Sequence, residues 1–588
     1  MGVVVRLLAR QRLDGGRESS HRRRRGCCRR RRRRRWRSLG RTINGRTRAG
    51  HEPDTGRTRA GHKSSHPVRC SAAGGAVNGL AWLVRSQRRV AHGARKQPAP
   101  EPPGYSRRRP EGTALYGAVR LHMRAFLDGL DEESAGLPAH VQRELESYLR
   151  CGILAHGFVR VWCPTCKDDL LVGFSCQGRG ICPSCGGRRM ADTAARWVDR
   201  VLPGVPWRQW VLTVPFELRL WMAWNPALMT DVLSVFQRAI RRRLRLMARA
   251  MGHRGGQHAS VTVVQRFGSA LNLNVHLHSL VAEGVWVPST ADPARPQWVP
   301  LRLGQDDVAA VLAAVDVEVT RLLVERGLLA EDEDGDVPLG LLDGDPDRAV
   351  ELGLMQASIA LRVATGPRAG QPVRRVGAPS RPLEAVPEGR RKRMHARSGA
   401  FDLHAAVLIR RSDRQGLERL GRYLLRPAIA TDRLRLREDG RYEYGLRRTW
   451  SDGTTALLFD PHELMEKLAA LVPIPRANLV RYHGVLAPAA KWRGYVIPQA
   501  DEEDRICGHR APGGRVPKDR TPWSQLLRRA FLVQVLRCAR CGNARRILAE
   551  VTEPDAVKGI LEHLGLPLDT EGPVPTRGPP LADLPWAS

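Results

Sequence analysis

The chain has 588 residues, with 97 Lys and Arg against 59 Asp and Glu, giving a formal charge of +38 and a pI near 11.1. That balance excludes an acidic soluble enzyme or a neutral carrier, and a hydrophobic content of 42% excludes a wholly disordered chain. No run approaches the roughly 18 apolar residues of a membrane span, so a soluble, unexported protein of the cytoplasm and its nucleoid is expected, with about three or four domains.

The charge is unevenly placed. Within residues 1–110 there are 31 basic and 5 acidic side chains, so 26 of the 38 excess positive charges sit there. This leader holds Arg22 to Arg25, Arg29 to Arg35 and the heptapeptide Gly45 to His51, repeated unchanged at Gly56 to His62. Like charges at this density repel and carry no apolar periodicity, which predicts a disordered Arg-rich leader. Two readings stay open for it. It is an arm that binds nucleic acid by displacing counterions, or an upstream stretch included by a start codon assigned too early.

Organised sequence begins near Leu115. Apolar residues at helical spacing, from Leu121 through Leu149 with a break at Gly136 to Pro138, predict two helices. A Cys-rich module follows (Cys151 to Cys185), then a helix from about Met190 to Leu202 and a strand from Trp210 to Val214. Asp231 to Met251 reads as a basic helix carrying Arg241 to Arg243. Strands are expected at Val261 to Phe267, Leu271 to Val281 and Val285 to Val287, and helices over 307–329 and 349–363. An acidic insert (Glu331 to Asp347) and a basic Pro/Gly-rich stretch (Gly366 to Arg397) read as surface connections. Beyond Phe401 come a strand, a helix, a hairpin turning at Asp439-Gly440 and a C-terminal CxxC.

The motifs carry the chemistry. Cys163, Cys166, Cys182 and Cys185 form C-x2-C-x15-C-x2-C, a spacing that lets two thiolate pairs close a tetrahedron around Zn2+. Four thiolates leave no open coordination position, so this zinc is structural. Cys151, Cys176 and His156 lie close enough to be alternative ligands. Cys538 and Cys541 (CARC) read as half a zinc site completed elsewhere, with Cys507 or His509, or as two plain thiols.

From Leu271 to His278 apolar residues alternate with Asn272, Asn274, His276 and His278. A strand with that alternation has one core face and one polar face presenting two imidazoles, a pair able to grip a divalent ion. Further on, Ser412 with Gln415 predicts a helix start, and Leu417, Leu420 and Leu424 mark its buried stripe before Pro427. Tyr423 lies beside that stripe with Arg419, Arg422 and Arg426 nearby. Such a tyrosine is either a packing residue with a wet hydroxyl or a nucleophile toward a phosphodiester that the guanidinium groups hold.

Six motifs in this order, CGILAHGF with the zinc module, VLTVPF, QRFGSALNLNVHLH, FDLHAAV, GRYLLRP and RYHGVLAP, resemble the HUH-class rolling-circle transposases of bacterial insertion sequences of type ninety-one. The resemblance runs from about Leu115 to about Arg546. It implies an α+β protein in which an N-terminal zinc-binding domain (111–202) precedes a HUH endonuclease domain with a central antiparallel sheet (203–435) and an accessory C-terminal region (436–588). It also implies Mg2+ or Mn2+ held by His276 and His278, and attack by Tyr423 that leaves a 5′-phosphotyrosine and a free 3′-OH. As third metal ligand His404 comes first, with Gln265 and Glu283 behind it. Arg419 stands four residues before Tyr423, where founding members carry a second tyrosine, so the sequence resembles the single-tyrosine branch. The implied partners are single-stranded or hairpin DNA at element ends, target DNA and host replication proteins, with Trp207, Trp210, Trp221 and Trp224 as stacking or core residues. A replication initiator or relaxase of the same chemistry, and a noncatalytic zinc-containing DNA-binding protein, are the rival readings.

Overall fold

The computed structural model describes residues 109–132, 136–329, 346–377, 394–498 and 535–568. The expected leader (apart from Arg109 and Pro110), most of the acidic insert, and Cys507 and His509 lie outside the described residues.

Helices α1 (Ala114–Glu132) and α2 (Ala139–Arg150) appear where the periodicity predicts them. The hairpin β1 (Phe158–Cys163) and β2 (Asp168–Gly173) follows. Helix α3 (Pro183–Arg196) begins inside the second cysteine knuckle rather than at Met190. Pro183 occupies its first turn, where the missing N–H costs nothing and the fixed φ suits a helix. The helix ends in a π-helical turn, Trp197–Val201.

The strand β3 (Trp207–Thr213), helix α4 (Phe216–Trp224) and helix α5 (Pro226–Ala250) come next. Helix α5 starts before Asp231 because the Asn225 side chain accepts from the Ala227 and Leu228 amides at 2.9 and 3.0 Å, capping the first turn. Then come β4 (Ala259–Phe267), β5 (Leu273–Ala282), the hairpin β6 (Gly284–Pro288) and β7 (Pro296–Pro300), α6 (Gln305–Glu325) and α7 (Pro346–Ile359). The stretch expected as a plain connection contributes two strands, β8 (Arg374–Val376) and β9 (His395–Ser398). Val373 is buried and Arg374 pairs with Asp460 at 2.7 Å, so tertiary partners override the Pro/Gly composition there. The chain continues through β10 (Phe401–His404), β11 (Leu408–Ile409), α8 (Arg414–Leu424), β12 (Leu434–Leu436), β13 (Tyr442–Gly445), β14 (Ala456–Phe459), α9 (Pro461–Leu471), β15 (Val480–Gly484) and α10 (Arg493–Val496). It closes with β16 (Arg546–Val551) and α11 (Pro554–His563). Among the described residues no helix is long and apolar enough to cross a membrane.

An antiparallel sheet in the order β15-β4-β5-β3-β10-β9, with β11 also on β3, is the centre of the fold. Its register places Leu277, Leu212, Val264 and Leu403 on one face, where they pack against Val232, Phe236 and Ile240 of α5 and Val311 and Val315 of α6. The opposite face carries Val261, Val263 and Leu280, which pack against Trp197 and against Leu417 and Leu424 of α8. A second core joins α1, α2 and the α3 start to the sheet β12-β13-β14-β8 and to α9. Residues between 115 and 185 therefore pack with residues between 429 and 472, and the expected divisions at 202 and 435 cut through shared packing. The architecture is α+β with antiparallel sheets and cysteine clusters of the zinc-binding kind.

Candidate functional site

Strand β5 has a period of two, and its register against both neighbours fixes which face each side chain takes. His276 lies opposite Thr213 and Gln265, and His278 opposite Val211 and Val263, so both imidazoles leave the sheet on the α8 side. Their ring centroids are 4.8 Å apart. His276 Nδ1 donates to the Asn274 carbonyl at 2.9 Å, which leaves Nε2 with a free lone pair. The Gln209 Nε2 amide lies 3.0 Å from His278 Nδ1, where it donates to the ring; with the two amide ends exchanged, Oε1 would instead accept an Nδ1 proton. His278 Nε2 is buried without a hydrogen-bond partner. Burial, followed by nearby arginines including Arg426, lowers His276 to about 4, and burial holds His278 well below the ordinary imidazole range. Both rings are neutral at neutral pH, the state in which imidazole binds a cation.

Of the expected third ligands, Gln265 is the one brought to the pair. It sits on β4 directly opposite His276, donates from Nε2 to the Leu424 carbonyl at 3.1 Å, and keeps a buried Oε1 with no partner. His404, the first expectation, sits farther along the sheet. It lies on β10 opposite Val211, with the whole of β3 between it and β5, and its ring neighbours His395 at 6.2 Å. At an inter-strand spacing of about 4.8 Å, two strands set its backbone roughly 10 Å from that of His278, and its ring nitrogens do not gather with those of the histidine pair. Glu283 belongs to the opposite face, where Arg208 grips it in a buried bidentate pair at 2.7 and 2.8 Å. Strand pairing across the sheet decides all three placements, and spacing along the chain cannot show it.

Helix α8 forms on the stripe Leu417, Leu420 and Leu424. Its cap is Asp413, which accepts from the Gly416 amide at 2.7 Å, and not Ser412 as expected. Tyr423 is 41% exposed, and its ring stands edge-on to His278 with centroids 6.3 Å apart. The Arg426 guanidinium lies 4.5 Å from the Tyr423 ring centre and donates to the Tyr423 carbonyl at 3.0 Å. The other two expected arginines point elsewhere. Arg422 pairs with Glu418 at 2.6 Å along the helix, and Arg419 lies 3.8 Å from Asp413. Arg422, next to Tyr423 on the helix, faces another way, whereas Arg426 follows the helix end at Leu424 and folds back over the Tyr423 ring.

The cysteines form two clusters instead of one. Cys151, Cys176, Cys182 and Cys185 come together, with sulfurs 3.5 Å (Cys151 and Cys182), 3.5 Å (Cys176 and Cys185) and 3.7 Å (Cys151 and Cys185) apart. A tetrahedron of Zn–S bonds of about 2.3 Å needs sulfurs about 3.8 Å apart, so the set fits Zn2+. Amides of Cys176 and Gly178 point at Cys151 and Cys176 sulfurs at 3.4 and 3.3 Å, as thiolates require. The expected quartet is thus split. The β1–β2 hairpin turns Cys163 and Cys166 away from Cys182 and Cys185, toward Cys538 and Cys541. Two-residue knuckles supply ligands in pairs, but their spacing does not say which pairs meet.

The first cluster is mechanically joined to α8. Helix α3 starts at Cys182 and lies against α8 so closely that a Cβ on Gly421 would meet Ala194 and Trp197 at 3.3 Å. A Cβ on Gly186 would meet Pro427 at 2.8 Å. Arg414, in the first turn of α8, donates to the Leu202 and Pro203 carbonyls at 2.8 and 3.3 Å, binding the helix to the end of the π-turn. Trp207 and Trp210 are fully buried core residues, while Trp221 and Trp224 pack at the core edge.

Residues 121–214, which include the six cysteines from Cys151 to Cys185, match the family model described as "Transposase zinc-binding domain", in its IS91 form. Residues 369–493, which include Tyr423 and the whole of α8, match the model described as "Putative transposase". No curated protein and no solved structure matches the chain. A structural zinc centre fits both the matched domain and the sulfur geometry, and a transposase acts on DNA, in keeping with the chain's basic charge. With one match on the zinc module and the other on the tyrosine helix that packs against it, the chain carries the domains of an IS91-type insertion-sequence transposase.

Proposed function

We propose that the protein nicks and rejoins single-stranded or hairpin DNA at insertion-sequence ends through a HUH arrangement, with Tyr423 as nucleophile. The observation that carries this reading is the exposed Tyr423 ring standing edge-on to His278, beside a second neutral imidazole on the same strand face. The Tyr423 oxygen attacks phosphorus and loses its proton. The new O–P bond replaces the bond to the 3′ oxygen, leaving a 5′-phosphotyrosine and a free 3′-OH able to prime rolling-circle synthesis. The phosphodiester energy is retained in the phosphotyrosine, so transfer to target DNA needs no nucleotide cofactor.

The donor set fits a divalent cation, with one unpartnered buried nitrogen on His278, one unpartnered buried oxygen on Gln265, and His276 Nε2 left free by its tautomer. His276, His278 and Gln265 would hold Mg2+ or Mn2+, which would supply Lewis-acid polarisation of a non-bridging phosphate oxygen. Arg426 offsets charge on the phosphate next to the attacking oxygen. Gln265 also holds the last turn of α8 through the Leu424 carbonyl, so one side chain registers the tyrosine helix to the metal site. With Arg419 in place of a second tyrosine, Tyr423 acts in successive cleavages.

The test is incubation of labelled single-stranded element ends with protein and Mg2+, followed by denaturing electrophoresis. A covalent protein–DNA adduct from wild type, lost in Tyr423→Phe, is the expected result. Equal behaviour of the two proteins would leave only a zinc-containing DNA binder.

A further inference from the structure

Cys163, Cys166, Cys538 and Cys541 lie outside any role assigned above, and two of them fall beyond the matched zinc-binding domain. Their sulfurs all lie within 4.8 Å of one another, with Cys163 and Cys541 3.6 Å apart and Cys538 and Cys166 3.9 Å apart. The two halves have the same backbone form. In CPTC the amide of Lys167 donates to the Cys163 carbonyl at 2.8 Å, and in CARC the amide of Gly542 donates to the Cys538 carbonyl at 2.9 Å. Each knuckle then turns through the left-handed region, at Lys167 (φ 53°) and Gly542 (φ 72°). Lys167 accepts a conformation that favours glycine, so something outside the turn holds it there.

We propose that these four thiolates hold a second structural zinc ion, a clasp that fastens residues 535–568 onto the β1–β2 hairpin. Its ligands come in pairs from segments more than 370 positions apart, and the two sites interleave along the chain. Around the clasp, β16 pairs with β1 along Phe158 to Trp162, Asn543 donates to Thr165 at 2.8 Å, and Arg545 donates to Asp168 at 2.8 Å. The apolar contribution to this lobe is small. Leu154, Phe158, Leu171, Val551, Val557 and Leu561 form its buried cluster, and β16 is exposed along most of its length. A core this small does not hold a strand and a helix in place without a staple such as a metal. Cys541 is exposed and Cys166 half-buried, whereas three of the four sulfur ligands of the first cluster are buried. The clasp therefore exchanges its metal first.

The experiment uses the full chain purified under reducing conditions. Metal analysis is expected to find two zinc ions per chain, falling to one in the Cys538→Ser/Cys541→Ser double variant. Hydrogen exchange of amides 546–551 should lose its protection in that variant, while β2 amides keep theirs. Cys541→His, which retains a ligand at the exposed position, should restore both the second zinc and the protection. Cobalt titration of wild type provides a reading that needs no variant, with two equivalents of tetrahedral thiolate-bound Co2+ expected. One zinc or one tetrahedral cobalt in wild type, two zincs retained by the double variant, or unchanged exchange at 546–551 each overturns the clasp.

Discussion

Two neighbours on β5, Ser279 and His278, point to opposite faces of the central sheet and meet different polar surroundings there. Toward α5, Ser279 of β5 meets Thr262 at 2.7 Å, and Gln237 bridges Ser260, Thr262 and Ser279 at 2.6 to 3.2 Å. That network closes on itself, as a buried structural network must. Toward α8, the adjacent residue His278 keeps a buried nitrogen with no partner, and so do Gln265 and Asn274 with their oxygens. An unmet buried polar atom costs about 1–3 kcal/mol. Two of them, on His278 and Gln265, lie against the turn of α8 that carries the exposed tyrosine, a cost that a ligand would offset. The Ser279 network is finished by the protein, whereas the open atoms of His278 and Gln265 are left for something it binds; Trp210 and His258, on the α5 side, keep unpartnered buried nitrogens of their own.

The contrast can be broken by experiment. The largest effect is expected for Tyr423→Phe, in which the covalent adduct disappears while binding of labelled element ends is retained. His278→Ala and Ser279→Ala come next, as neighbours on opposite faces. His278→Ala should cut cleavage by more than the ~10–100-fold typical of losing a partner of a metal ligand, the loss expected for Gln209→Ala. Ser279→Ala should instead lower stability by about 1–3 kcal/mol in denaturant titration and leave cleavage per folded molecule unchanged. Should Ser279→Ala abolish cleavage in well-folded protein, the division between the faces is wrong.

Arg426→Ala is expected to slow adduct formation on the order of 100-fold, the effect of removing one donor at a developing charge. Arg422→Ala, whose partner is Glu418 on its own helix, should change stability by less than about 0.5 kcal/mol and leave the cleavage rate alone. Equal losses in single-turnover rates from the two variants would remove the special place of Arg426.

The smallest effect concerns acid stability and a part of the α5 side away from the network. His258 is lowered to about 3, first by burial and then by His483 and two arginines of α5, and burial lowers His483 to about 4. The unfolded chain takes up protons at these histidines near pH 6.5, whereas the folded chain does not until much lower pH. Stability therefore falls as pH drops below about 6.5 and the loss levels off near pH 3 to 4. By pH 5 His258 alone should account for about 2 kcal/mol. Melting temperatures measured at pH 7.5 and 5 should differ by several degrees, and His258→Gln should reduce that difference.

Periodic features were legible along the chain. Alternation from Leu271 to His278 placed two imidazoles on one strand face, and the spacing of Leu417, Leu420 and Leu424 put Tyr423 on the rim of a helix. The hairpin at Asp439-Gly440 was equally plain, and Gly440 takes the positive φ its turn needs. These are short-range consequences of backbone geometry, in which a period of two or of 3.6 residues decides which side chains share a face. The Asp413 cap was missed in favour of Ser412, one position away, because either side chain can start a helix and local packing chooses.

What sequence determined here was chemistry and local direction, namely thiolates in knuckle pairs, two imidazoles in a row and a phenol among arginines. Tertiary structure decided which of them meet. It sent Cys163 and Cys166 to Cys538 and Cys541, put β3 between His404 and the histidine pair, and set Gln265 across from His276. The reason is physical. Strand order and the docking of distant segments follow from how whole apolar faces are buried, a condition summed over many residues, and no spacing within a single motif encodes it.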